Sequence, residues 1–175
     1  PQRALAHFQP GMTIQAVRGP LVISDSAGEL TYTLEWKPLQ PVNHFYSSFL
    51  QLQTQSGERI AGDDVFMGRW LLATPYWQPN QIMADIHHLP LTTALAPGAY
   101  KLMAGLYLSV NEWIPTVNDE GVVQGNVAQL AWVKRPMPPT PPLPSAAKAF
   151  SAVLDNAIVL RHASVNQVDA THFEL

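Results

Sequence analysis

Apolar and polar residues alternate along much of this chain. In LTYTLEW, residues 30–36, Leu30, Tyr32, Leu34 and Trp36 fall on one face and Thr31, Thr33 and Glu35 on the other. The same period runs through APGAYKLMAGLYL (96–108), where Tyr100, Leu102, Ala104, Leu106 and Leu108 oppose Lys101, Met103, Gly105 and Tyr107. It runs again through HFYSSFLQLQTQSGERIAGDD (44–64), which passes a Ser-Gly turn. A two-residue period with one apolar face predicts half-buried antiparallel strands. Strands are expected at 12–18, 20–25, 30–36, 44–54, 58–61, 82–89, 99–109 and 122–133. Turn signals stand at Arg18-Gly19-Pro20, Ala27-Gly28, Ser56-Gly57, Pro97-Gly98 and Glu120-Gly121. With no 3.6-residue pattern between them, these strands predict an all-β fold of about eight strands. It is an antiparallel β-sandwich of jelly-roll or immunoglobulin-like kind. The aromatic-bearing stretch 62–81 reads as a connection crossing from one sheet to the other.

The alternation stops at KRPMPPTPPLPSAAKAF, residues 134–150, where six prolines fall in 136–144. Such density excludes a central strand and favours extended polyproline II. The expected domains are therefore a sandwich over 1–133, a Pro-rich linker over 134–149 and a short C-terminal appendage over 150–175. SAAKAFSAVL suits a short helical turn, and NAIVLRHA and THFEL suit strands. The appendage echoes the start of the chain. LDNAIVLRHA (154–163) follows the pattern of FQPGMTIQAV (8–17), with Ala157 matching Gly11, Ile158 matching Met12 and Leu160 matching Ile14. Two readings stay open: the first strands of a second, similar module, or edge strands completing the first. Beginning at Pro1 and stopping inside THFEL, the chain reads as a fragment of a longer protein.

Composition narrows the classes. The 175 residues are 47% hydrophobic and 13% charged, which suits a chain with a sizeable core and not a disordered one. A formal charge of −3 offers no basic footprint for nucleic acid or an anionic membrane surface. No run of 18 apolar residues predicts a membrane span, and no signal peptide appears. Without cysteine there is no disulfide framework, thiolate metal site or thiol nucleophile.

No motif for nucleotide binding, zinc proteolysis or a serine nucleophile elbow is present. Asp63-Asp64 with Asp85 form the best acidic set for a calcium ion, although the spacing of a dedicated calcium loop is missing and a turn role is the preferred reading. His87 and His88, adjacent on a strand, face opposite sides and cannot share a metal. No metal and no cofactor is expected. The loop aromatics Trp70, Tyr76, Trp77 and Trp113 suit stacking on the apolar C–H faces of sugar rings, or else capping the ends of the sandwich core. Gln51 and Gln53, beside Phe49, form an outward set that is either a sugar-binding face or a solvated one.

Several landmarks occur in a familiar order: FQPGMTI, LTYTLEW, FYSSFLQLQTQSGERIAGDD, TPYWQPNQIMADIHHLPL and LAPGAYKLMAGLYL. Across roughly residues 8–133 the chain resembles the soluble β-sandwich domain that follows the transmembrane part of bacterial membrane glycosyltransferases related to dolichyl-phosphate-mannose protein mannosyltransferases. It departs from that pattern in NEWIPTVNDEG, where Trp113 replaces an arginine before the apolar–Pro pair. The resemblance implies a non-catalytic, extracytoplasmic accessory domain, tethered to the cytoplasmic membrane through its parent protein. Its implied partners are a glycan or the membrane part of its own chain, and the catalytic acids of that family lie outside this sequence. The alternatives are a carbohydrate-binding module of another surface protein and a purely structural sandwich repeat.

Overall fold

The computed structural model describes residues 4–9, 11–69, 72–92 and 94–138, together with the strands at 148–154, 158–163, 166–167 and 173–174. Internal contacts divide the chain into two units, Pro1–Met137 and Pro138–Leu175. Among the described residues there is no α-helix, and no helix is long and apolar enough to cross a membrane.

The first unit is a β-sandwich of eleven strands in two antiparallel sheets. Sheet I holds β1 (Ala6–Phe8), β2 (Met12–Arg18), β3 (Glu29–Pro38), β6 (Met83–Pro90), β9 (Thr116–Val117) and β10 (Val123–Gly125), in the order β10-β9-β1-β2-β3-β6. Sheet II holds β4 (Ser47–Gln53), β5 (Arg59–Phe66), β7 (Gly98–Ser109) and β11 (Val127–Arg135), in the order β11-β7-β4-β5. The short β8 (Glu112–Trp113) pairs with the far end of β7. The expected alternation is realised. Leu30, Tyr32, Leu34 and Trp36 of sheet I and Leu50, Leu52, Leu102, Ala104 and Leu106 of sheet II bury their side chains in one core. Phe8 and Trp36 meet within it, their ring centroids 5.5 Å apart. Pro38 and Pro90 stand at strand ends, where the missing N–H costs least.

Several expected elements differ in detail. Residues 20–25 make no ladder strand; Ile23 N–H donates to the Lys134 carbonyl and Lys134 N–H to the Leu21 carbonyl. This segment covers one end of the β11 edge through a single parallel bridge. The short strand expected at 58–61 runs on to Phe66, because pairing with β4 carries it through the Gly62-Asp63-Asp64 run. The strand expected at 122–133 divides at Asn126, just after Gly125 with its φ of +146°, so β10 joins sheet I and β11 joins sheet II. The connection from β5 to β6 does cross between the sheets, through a single 3-10 turn at Thr74–Tyr76.

In the second unit, β12 (Lys148–Leu154) pairs with β13 (Ile158–Ala163), and β14 (Asn166–Gln167) pairs with β15 (Phe173–Glu174). Residues 148–154 are thus extended, not a helical turn; cross-strand pairing overrides the alanine-rich local preference. The register reproduces that of the first hairpin. Ala6 pairs with Ile14 and Phe8 with Met12; Ala152 pairs with Leu160 and Leu154 with Ile158, a uniform displacement of 146 positions.

Candidate functional site

The loop aromatics do not form one patch. Trp77 is buried in the core, and its Nε1–H donates to the Leu72 carbonyl at 2.6 Å. Tyr76 is exposed on the 3-10 turn, whose Thr74 hydroxyl donates to the His44 carbonyl. Trp70 lies outside the described residues. Of the three that are described, Trp113 alone sits on a strand, β8 of sheet II.

The acidic set is also divided. On β5, Asp63 points toward the gap between the sheets, as its core-facing partner Leu50 does, while Asp64 points outward with Phe49. Asp85 is buried and accepts the Ser48 hydroxyl at 2.6 Å. Among the described residues no three His, Cys, Asp or Glu side chains group to hold a metal.

Sequence order hid one cluster. Ser48 on β4 and Asp85 and His87 on β6 meet across the two sheets, with the Ser48 hydroxyl 3.2 Å from His87 Nε2. These are the residue types of a serine-hydrolase triad, but all three are sealed from solvent and the serine donates to the aspartate. A nucleophile with no access to substrate does no chemistry; the cluster instead ties β4 to β6. Beside it, the Asp63 carboxylate accepts the His88 backbone N–H at 2.9 Å and the Arg69 guanidinium donates to the Ile86 carbonyl at 2.9 Å. Two side chains therefore cap the outer edge of β6 against pairing with another strand.

The outer face of sheet II is the more interesting surface. Cross-strand register sets it out in four rows: Phe66, Ser47, Tyr107 and Trp113; then Asp64, Phe49, Gly105 and Val127. Next come Gly62, Gln51, Met103 and Gln129, and finally Arg59, Gln53, Lys101 and Trp132. Phe49 points outward yet is only 1% exposed. Gly105 explains how: a Cβ there would lie 2.1 Å from Phe49 Cε1, so only glycine lets the ring lie flat across β7. From that position Phe49 meets Trp113 edge-on, centroids 5.2 Å apart, and Tyr107 meets Trp113 at 5.6 Å. The Trp113 Nε1–H donates to the Val110 carbonyl at 3.1 Å, which fixes the indole while leaving the residue 40% exposed.

At the opposite end of the face stands Trp132, 45% exposed. Between the two tryptophans lie the amides of Gln51 and Gln129, with Gln53 in the row of Trp132. Gln53 Nε2 donates to Gln51 Oε1 at 2.9 Å, and Gln129 lies exposed across Met103. The charges are matched or occupied: Arg59 lies 3.6 Å from Asp64, and Lys101 Nζ donates to the Gln55 carbonyl. Burial, and then the Asp64 carboxylate, push the Tyr107 hydroxyl's pKa up, so it stays a neutral donor across the ordinary pH range. Flat aromatic faces beside rotatable amides are the chemistry that holds sugars, the rings covering C–H faces and the amides meeting hydroxyls. Gln51, Gln53 and Trp113 were legible as candidates in the sequence. Trp132 was not: strict alternation puts it on the core-facing side with Leu130, and the bulge between Gln129 and Ala131 is what turns it outward.

No protein-family model matches the chain, and no curated protein matches it in sequence. The resemblance to glycosyltransferase-associated domains therefore rests on the residues quoted for it above. Among solved structures, the chain is similar to the C-terminal domain of wzt, with a TM-score of 0.48, 11% identity, and coverage of 79% of this chain and 81% of that one. It is also similar to a beta-glucuronidase from glycoside hydrolase family 2, with a TM-score of 0.38, 15% identity, and coverage of 62% and 11% respectively. Likenesses this distant assign no ligand and no residue roles, which are argued from the geometry alone.

Proposed function

We propose that the first unit is a non-catalytic glycan-binding domain whose ligand lies on the outer face of sheet II. The observation that carries this reading is the pair of half-exposed tryptophans, Trp113 and Trp132, on one face with Gln51 and Gln129 between them and Gln53 in the row of Trp132. The resemblance supplies the setting: an extracytoplasmic accessory domain of a membrane glycosyltransferase, presenting glycan or acceptor to the membrane part. Intrinsic tryptophan fluorescence during titration with bacterial polysaccharides tests the site. Trp113→Ala or Trp132→Ala is expected to weaken binding about tenfold or more, as loss of an aromatic anchor does. Binding that survives both substitutions unchanged would place the ligand elsewhere.

A second reading, the structural sandwich repeat, has its own support. The β12–β13 hairpin repeats the register of β1–β2 at a uniform displacement, with Ile158 and Leu160 in the places of Met12 and Ile14. On that reading residues 148–174 open a further module of the same kind. The two readings are compatible, since a repeated module can bind glycan.

A further inference from the structure

Resting on the glycan-binding reading, we infer that the outer face of sheet II takes an internal stretch of an extended, neutral glycan chain lying along β7, and not a chain end. Trp113 pairs opposite Tyr107 and Trp132 opposite Lys101. These positions are six residues apart on β7, which at ~3.4 Å per residue separates the two indoles by roughly 20 Å along the strand. One sugar ring cannot touch both; a chain of several units can.

The floor between the two indoles also suits a chain passing through. Gly105 and Gly62 have no side chains, Phe49 lies flat over Gly105, and the Arg59 guanidinium lies over Gly62. Nothing in these rows closes round a terminus. A chain end is recognised by a concave pocket that encloses it. The cavity of about 390 Å³ lies away from this face, between β2 and β11, beside Val17 and Leu130. The cavity of about 360 Å³ is at the β5 edge, where Asp64 and Phe66 border Asp63 and Arg69, and neither tryptophan lines it.

Charge narrows the chemistry. The two cations of the face are Arg59, which is spent on Asp64, and Lys101, which is spent on a backbone carbonyl. Arg59 and Asp64 offset each other, and Lys101 is already held by a carbonyl, so no cation is left directed at a uronic acid. Neutral sugars, read through hydroxyls by Gln51, Gln53, Gln129 and Tyr107, fit this set.

The experiment is calorimetric titration of the full chain with ladders of linear oligosaccharides, from one to about six units. The ladders are built from glucose, mannose, galactose or galacturonic acid. For a neutral ladder, affinity is expected to rise about tenfold or more between two and about five units, and then to level off. Trp132→Ala and, separately, Gln129→Ala should make the longest oligosaccharide bind like a shorter one while the thermal midpoint stays put. A monosaccharide or disaccharide binding as tightly as the hexamer would overturn the passing-chain inference but leave the glycan site standing. Preference for the galacturonic ladder would overturn the neutral-sugar part. Absence of binding by every ladder and by polysaccharide would overturn the glycan-binding reading itself.

Discussion

Tyr32 occupies the centre of the sheet I core, with its hydroxyl donating to the Pro20 carbonyl at 2.7 Å. Burial pushes its pKa up to about 12, because a phenolate in that position would be stripped of water. The folded chain therefore holds the Tyr32 proton more tightly than the unfolded chain, which releases it near the ordinary tyrosine value. This contribution to stability is complete below about pH 10, and fades as pH climbs through the window up to about 12. The loss is on the order of 1 kcal/mol per pH unit in that window. Tyr32→Phe removes the titrating group, so the variant should show a shallower alkaline fall in denaturant stability than the parent protein. Parallel curves between pH 10 and 12 would show that the tyrosine reaches solvent. Single residues also mark where sequence reading stopped. The outward position of Phe49 follows from its alternation with Gln51 and Gln53. Its near-complete burial depends on Gly105 and Trp113, which come more than fifty positions later and act only through register.

At the scale of the strand, alternation was enough wherever one face was uniformly apolar. β3 and β7 were legible for that reason, while β6 keeps the period of burial although its buried face carries Asp85 and His87 beside Leu89. β5 was not, because Gly62-Asp63-Asp64 carries no apolar signal and is held extended by its ladder with β4. β1, β8 and β9 are too short to show a period at all. The sheet II face assignment has a direct check in β4. Leu52 is fully buried in the core, so Leu52→Ala is expected to cost about 2–5 kcal/mol. Its neighbour Gln51 faces outward, so Gln51→Ala should stay within about 0.5 kcal/mol. Urea midpoints with a common m-value decide it, and equal losses would reverse the assigned faces. The same strand holds Ser48, whose bond to Asp85 was invisible in the sequence for a topological reason. The two residues belong to different sheets, brought together only because β5 and β6 are the adjoining edges of the sandwich.

At the scale of the whole chain, the repeated hairpin makes a quantitative demand on the parent gene. If residues 148–174 open a second module, the displacement of 146 positions that relates β1–β2 to β12–β13 should continue past this sequence. The counterpart of β3, Glu29–Pro38, then begins at about residue 175, as a run of roughly ten residues with aromatic and aliphatic side chains at every second position. A Gln-bearing strand and a Pro-Gly turn leading into a long alternating strand should follow, in that order. Sequencing downstream of Leu175 reads this directly. A helical pattern, or an early stop, would make the hairpin an isolated appendage and remove the repeat. The same gene read upstream addresses the setting. Several apolar spans of about 20 residues, with acidic residues in the first connecting loop, would place the glycan-binding face beside a membrane transferase. A lone signal peptide would leave a surface protein whose modules bind glycan with no transferase attached. The two directions are independent, because a glycan platform built from sheet II needs neither a second module nor a membrane anchor to bind its chain.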